Sequence, residues 1–311
     1  MSTPSEKTFR AYTQTQGETY AQTRLTYHPS LYNTILTHHT TTGGALDTII
    51  DVGCGPGTAV ATLSQHFNHA IGLDPSAGMI AAARAINAAN LTAASHPIRF
   101  EVSTAEDLGS GLSAPGIPDA SVDLITAATA AHWFDMEPFW KSAARVLKPG
   151  GSVAIWASGY IRIHPDMANA EALQEIMDRF QEEYLREFFS PGNLLTRDLY
   201  RGLPLPWTVE PAVEGFGEGS FVRKDWETAE EFYAGGSVEV DLDVFERMIG
   251  TMSPVTRWRE AHPGVEGTEG DAVRMFRREI ERVFREMGVQ QGEERIKGAV
   301  HGFLLVVKRE A

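Results

Sequence analysis

The chain has 311 residues, 42% of them hydrophobic, enough for one large α/β domain or a core with a smaller cap. Its 41 acidic against 27 basic residues give a net charge of −14, which repels phosphate backbones and disfavours a nucleic-acid partner. One cysteine, Cys54, excludes an intramolecular disulfide and argues against a Cys-based zinc site, so no metal is expected.

The N-terminus is polar and lacks the apolar run of a signal peptide. No stretch approaches the roughly 18 apolar residues of a membrane span, so a cytosolic, membrane-free protein is expected. Residues 12–37 read as one or two helices rich in tyrosine. From Asp47 to Trp156, short apolar runs alternate with longer helical patterns, the mark of β/α units and a parallel sheet. Strands are expected at Thr48–Val52, Ala70–Asp74, Ile98–Ser103, Val122–Thr126 and Ser152–Trp156. Helices are expected at Thr58–Phe67, Ala77–Ala89 and Met136–Leu147, the last ended by Lys148-Pro149-Gly150-Gly151.

Beyond the core the pattern changes. Asp166–Phe189 and Asp271–Met287 read as amphipathic helices, and Pro204–Gly219 as an irregular connection. The closing run Val300–Lys308 is apolar enough for a buried strand and must rejoin the first sheet. The expected organisation is an N-terminal helical lid (1–40), a core (41–158 and 293–311) and a largely helical cap insertion (159–292).

The strongest signal is Ile49-Ile50-Asp51-Val52-Gly53-Cys54-Gly55-Pro56-Gly57-Thr58, an apolar strand running into three glycines and then a helix. Glycine is needed where a backbone turns sharply under a ligand, and ligands bind at the carboxyl ends of strands in open α/β sheets. A dinucleotide fingerprint would want Gly or Ala where Thr58 stands. Asp74 ends the second strand, 23 residues after Asp51, where a carboxylate can accept hydrogen bonds from ribose hydroxyls. The turn Ser103-Thr104-Ala105-Glu106-Asp107 and the run from Val122 through Ala127-Ala128 to His132-Trp133-Phe134 follow at the next two strand ends.

These four motifs in order resemble class I S-adenosylmethionine-dependent methyltransferases over residues 45–157. The resemblance implies a doubly wound, mostly parallel Rossmann-like α/β sheet, S-adenosylmethionine as cofactor and S-adenosylhomocysteine as product. It implies that Asp51, Gly53, Gly55 and Gly57 form the cofactor loop, that Asp74 with Pro75 and Met79 holds the sugar side, and that Ala105 and Glu106 or Asp107 meet the adenine. Ala127 and Ala128 would let the methionine end approach the backbone. A narrower similarity, to small-molecule enzymes like the fungal trans-aconitate methyltransferases, rests on Tyr20-x-x-x-Arg24-x-x-Tyr27-His28-Pro29, on His132-Trp133-Phe134, and on Gly250-Thr251-Met252-Ser253 after a helical Asp225–Phe232. It implies that Tyr20 and Arg24 fold over the cofactor carboxylate. The chain departs from that group at Met252 and lacks an Arg before Thr251, which weakens any carry-over of carboxylate recognition.

His132 is the candidate base or substrate-positioning residue, since an imidazole with a pKa near ~6.5 suits proton removal. Tyr12, Tyr27, His28 and Trp133 are further candidates for the acceptor side. The expected reaction is methyl transfer to a small-molecule oxygen, of a carboxylate or hydroxyl, in preference to nitrogen or carbon. Two alternatives stay open: a non-catalytic, S-adenosylmethionine-binding regulatory partner, and a nicotinamide-dependent oxidoreductase, the latter disfavoured by Thr58 and Asp51. The sequence leaves oligomeric state open.

Overall fold

A computed structural model describes residues 12–23, 25–112, 116–227, 232–237 and 239–310. The chain opens with helices α1 (Gln14–Thr23) and α2 (Pro29–Thr41), then enters the alternating region as β1 (Thr48–Val52), α3 (Thr58–Leu63), β2 (His69–Asp74), α4 (Ala77–Ile86), β3 (Arg99–Val102), β4 (Val122–Ala128), α5 (Met136–Val146) and β5 (Leu147–Ser158). The cap region follows with β6 (Arg162–Ile163), α6 (Ala170–Phe180), α7 (Pro191–Arg197), β7 (Val222–Trp226), β8 (Glu239–Asp241), α8 (Leu242–Gly250), α9 (Ser253–Ala261), α10 (Ala272–Glu286) and β9 (Arg295–Ala299). β10 (Gly302–Lys308) closes the chain.

The main sheet runs β3-β2-β1-β4-β5-β10-β7 among the described residues. β1 to β5 are parallel, and β10 lies antiparallel between β5 and β7. Side chains alternate between the faces of β1: Ile50 and Val52 enter one apolar layer, with Phe139 and Trp140 of α5, while Ile49 enters the other, with Leu31 and Ile35 of α2. Helix α5 shows why such a segment folds where it does. Met136, Phe139, Trp140, Ala143 and Val146 recur at helical spacing and are all buried, and the Trp140 indole donates to the Pro204 carbonyl at 2.9 Å. β10 is buried along its apolar run because its side chains alternate between the two covered faces of the sheet, Phe303, Leu305 and Val307 into one layer and Leu304 and Val306 into the other.

The cap departs from the expected helices in three places. Helix α6 begins at Ala170 rather than Asp166, because residues 166–169 turn and Asn169 takes a left-handed φ of 57°. It ends in a π-turn over Gln181–Leu185, which re-aims the residues after Phe180. Asp225 and Trp226, expected in a helix, belong to strand β7, whose pairing with β10 extends the core sheet; residues 228–231 of that expected helix lie outside the described residues. The cap interval therefore contributes an edge strand to the core as well as helices. The cap has its own apolar centre, in which Phe180 and Phe276 stack at 4.5 Å between ring centres. Residues 200–216, by contrast, lay Tyr200, Leu203 and Phe216 onto the core layer beneath α5. Among the described residues no helix is long and apolar enough to cross a membrane.

Candidate active site

A cavity of about 360 Å³ opens over the carboxyl ends of β1, β2 and β4 and is roofed by α6 to α9. Its core-side wall is the glycine loop. Gly53 has φ +65°, and a Cβ there would sit 2.6 Å from that of Ala130; Gly57 has φ +86°, with Asn87 at 2.7 Å from any added Cβ. Only glycine fits either place, so the sequence signal has a steric cause. Gly53 and Gly55 line the cavity, while Gly57 ends the loop as the cap of α3 and is not among the lining residues.

Asp74 reaches the cavity with both oxygens anchored: Oδ2 accepts from the Gly55 N–H at 2.9 Å and Oδ1 from the Ser76 N–H at 2.8 Å. A carboxylate offers about four lone-pair sites in all, more than those two bonds use. Pro75 and Met79 lie beside it in the wall, and Ser76 caps α4 by accepting from the Met79 N–H. Asp51 does not line the cavity. It is buried beneath the loop, where its Oδ1 accepts from Thr126 Oγ1 at 2.6 Å. Burial pushes its carboxyl up to about 7, opposed by the Thr126 hydrogen bond and reinforced by the charge of Asp74.

At the third strand end Ala105 and Glu106 line the cavity, and Glu106 Oε1 accepts from the Asp135 N–H at 2.9 Å. Asp107 instead takes a hydrogen bond from Thr104 and is not a lining residue. Ala128 is in the wall, whereas Ala127 is wholly buried within β4.

The N-terminal segment lies across α4. Gly17 faces Ala82, and the Tyr12 carbonyl occupies the place where Gly78 would carry a Cβ, 1.9 Å away, so two glycines permit the crossing. Tyr20 lines the cavity, Arg24 lies outside the described residues, and Tyr12 meets the Tyr20 ring at 6.5 Å without reaching the wall. Tyr27 lines it, with its hydroxyl 2.8 Å from Thr129 Oγ1 and its ring stacked on Tyr233. His28 is the cap of α2, its Nδ1 accepting from the Ser30 N–H, and is not in the wall.

His132 and Trp133 line the cavity from the short turn after β4, their rings 4.5 Å apart. Helix α7 presses on that turn: a Cβ on Gly192 would lie 2.4 Å from the His132 carbonyl oxygen. The chain then takes left-handed conformations at two successive non-glycine residues, Leu199 (φ 53°) and Tyr200 (φ 55°). Such strain persists where surrounding structure over-determines it. Here it delivers the buried Tyr200 hydroxyl to His132, where it accepts from the backbone N–H at 3.2 Å and is paired with Nδ1. The Thr196 hydroxyl, one turn earlier in the chain, donates to the Gly192 carbonyl at 3.0 Å. Burial raises the Tyr200 phenol far above its ordinary value, so it stays protonated.

Tyr200 carried no sequence signal, because no local motif marks a residue 68 positions from its partner. The same holds for Tyr160, Asn193 and Thr196 in the cap-side wall, whereas Ser253, also in that wall, stood in the Gly250–Ser253 stretch without a role of its own. A match to the Methyltransferase domain family spans residues 50–155, the stretch that builds the cofactor half of this cavity. A Dictyostelium discoideum protein named as a methyltransferase is 34% identical over 147 residues, which is 47% of this chain and 49% of that protein. The methyltransferase cfoB of Aspergillus candidus is 32% identical over 60% of this chain and 56% of its own length. The chain thus spans about half the length of the curated relatives it matches. A solved structure described as a type II methyltransferase from Anaeromyxobacter dehalogenans shares the fold at a TM-score of 0.60, covering 92% of this chain and 97% of that one at 24% identity. Residues 50–155 are thus a methyltransferase domain, set in the Rossmann-like fold that the chain shares with that structure.

Proposed function

We propose that the protein transfers a methyl group from S-adenosylmethionine to a hydroxyl oxygen of a small molecule, with His132 as the base. The bound cofactor supplies a methyl group on a positively charged sulfur, already activated for in-line displacement. Asp74 fits its ribose hydroxyls, Glu106 and Ala105 the adenine end, and Tyr20 with Ala128 the amino-acid end. The cavity aligns the acceptor and excludes water, and alignment of this kind lowers barriers by on the order of 7–11 kcal/mol.

The observation that carries the choice of oxygen is the pairing of His132 with Tyr200. The Tyr200 oxygen accepts from the His132 backbone N–H at 3.2 Å and is paired with Nδ1 of the same residue; in this reading it accepts from Nδ1–H as well. A proton held on Nδ1 puts the imidazole lone pair on Nε2, the tautomer a general base requires. A carboxylate acceptor, ionised at neutral pH, needs no base. It would want a cation, and among the described residues no Lys or Arg side chain lines the cavity.

The test is incubation with isotope-labelled S-adenosylmethionine and a panel of small phenols and alcohols, with products separated by chromatography. His132→Ala is expected to lower turnover at saturating substrate by roughly 10²–10⁴-fold. An unchanged rate, or binding of a nicotinamide cofactor in place of S-adenosylmethionine, would overturn the reading.

A further inference from the structure

The charged side chains lining the described cavity, Asp74 and Glu106, both lie on its core side. The cap side is different in kind. Met177, Phe180, Met252 and Phe276 give it an apolar surface, interrupted by the uncharged polar side chains of Tyr160, Gln181, Thr196 and Thr251, and set into it is a station built from Asn193 and Ser253, both nearly inaccessible to solvent at 6% and 7% exposure.

The orientation of that station is fixed by its neighbours. Asn193 Oδ1 accepts from the Ser190 N–H at 3.0 Å, from the Ser190 hydroxyl at 2.8 Å and from the Arg257 guanidinium. A backbone N–H and a guanidinium can only donate, so this end of the amide is the oxygen and the other end is the NH₂. That NH₂ donates to Ser253 Oγ at 3.0 Å, and Arg257 Nη2 adds a longer contact to the same oxygen at 3.4 Å. Ser253 Oγ is therefore an acceptor within the protein. Its own proton has no acceptor among the described residues, and the residue is in the cavity wall.

We infer that Ser253 is a hydrogen-bond donor to a carbonyl oxygen on the methyl acceptor, which makes the substrate class an uncharged, mainly apolar molecule carrying a ketone, ester or amide carbonyl apart from its hydroxyl. Arg257 stands behind the station with its Nε donating to the Phe188 carbonyl at 2.8 Å. Its charge polarises the Ser253 O–H without entering the cavity, which suits an oxygen with partial negative charge. Gly192, pressed on the His132 carbonyl, directly precedes Asn193, so one helix sets the relation between the base and the donor. The inference rests on the hydroxyl-methylation reading for the second functional group, but the carbonyl preference itself is a property of binding.

Binding is measured by NMR titration with acetophenone, ethylbenzene and benzoate, each with and without saturating S-adenosylhomocysteine. Acetophenone and ethylbenzene are near-isosteric and differ in the oxygen. Acetophenone is expected to bind about tenfold more tightly than ethylbenzene, the worth of one good hydrogen bond. Ser253→Ala is expected to erase that ratio. Asn193→Asp is expected to erase it as well with Ser253 still present, because an aspartate would take the serine proton. Unchanged S-adenosylhomocysteine affinity shows that both variants fold. A ratio near one in the wild type, a ratio that survives both variants, or no detectable binding of either probe overturns the inference. A Ser253-dependent preference for benzoate over acetophenone overturns the uncharged class. Failure of S-adenosylhomocysteine to bind would count against the methyl-transfer reading alone, since the carbonyl ratio is read without it too.

Discussion

At the scale of single residues, the site depends on where protons are held. If Tyr200 fixes the tautomer of His132, the ¹⁵N spectrum of histidine-labelled protein at neutral pH will show His132 protonated at Nδ1, with the signal assigned by its loss in His132→Gln. Tyr200→Phe keeps the ring in the core but removes the acceptor oxygen, so the signal is expected to shift toward the Nε2–H form. The rate should fall with it, without a matching rise in KM. A wild-type spectrum dominated by Nε2–H would contradict the assignment.

Asp51 makes a second claim at this scale. A carboxyl raised from 3.8 to about 7 by burial binds its proton more tightly in the folded than in the unfolded chain. Stability from this group is therefore present below about pH 4 and is lost as pH rises toward 7, by up to about 4 kcal/mol. Asp51→Asn should abolish that part of the decline, so that the variant gains on the wild type between pH 5 and 8 in urea denaturation. Parallel curves for the two proteins would show that the group does not titrate there.

At the scale of elements, the N-terminal helix is held over the cofactor side by close backbone approach rather than by a deep apolar face. The Tyr12 carbonyl lies where any side chain at Gly78 would begin. Gly78→Val should lift α1 from α4 and take Tyr20 out of the wall. We expect S-adenosylhomocysteine affinity to fall about tenfold or more by calorimetry while the thermal midpoint changes little. An unchanged affinity would mean that α1 does not close the site.

How much of this was readable in advance depended on the range of the interaction. The β/α alternation, the glycine loop and Asp74 were legible because their causes are local: a period, a steric requirement, a strand end. Strand β10 was legible because an apolar run needs cover on both faces. The strand at Val222–Trp226 was not, since Val-Arg-Lys-Asp-Trp has no clear alternation and is a strand only because β10 offers it an edge. The wall beyond the cofactor was illegible for the same reason. Tyr200, Asn193 and Ser253 acquire meaning only once α7 and α9 are folded against the turn that carries His132.

At the scale of the molecule, the polypeptide passes repeatedly between its two apolar centres. It leaves the core after β5 for β6, α6 and α7, returns with Tyr200 and β7, goes out again through β8 to β9, and comes back as β10. A lobe tethered at four points cannot swing open as a door on one hinge. The N-terminal segment is attached differently, by the crossing at Gly78 and by the short bridge that pairs Tyr27 with Tyr233. If reactant and product pass beneath that strap, the rate at which it unfastens sets an upper limit on turnover however fast the chemistry beneath it runs.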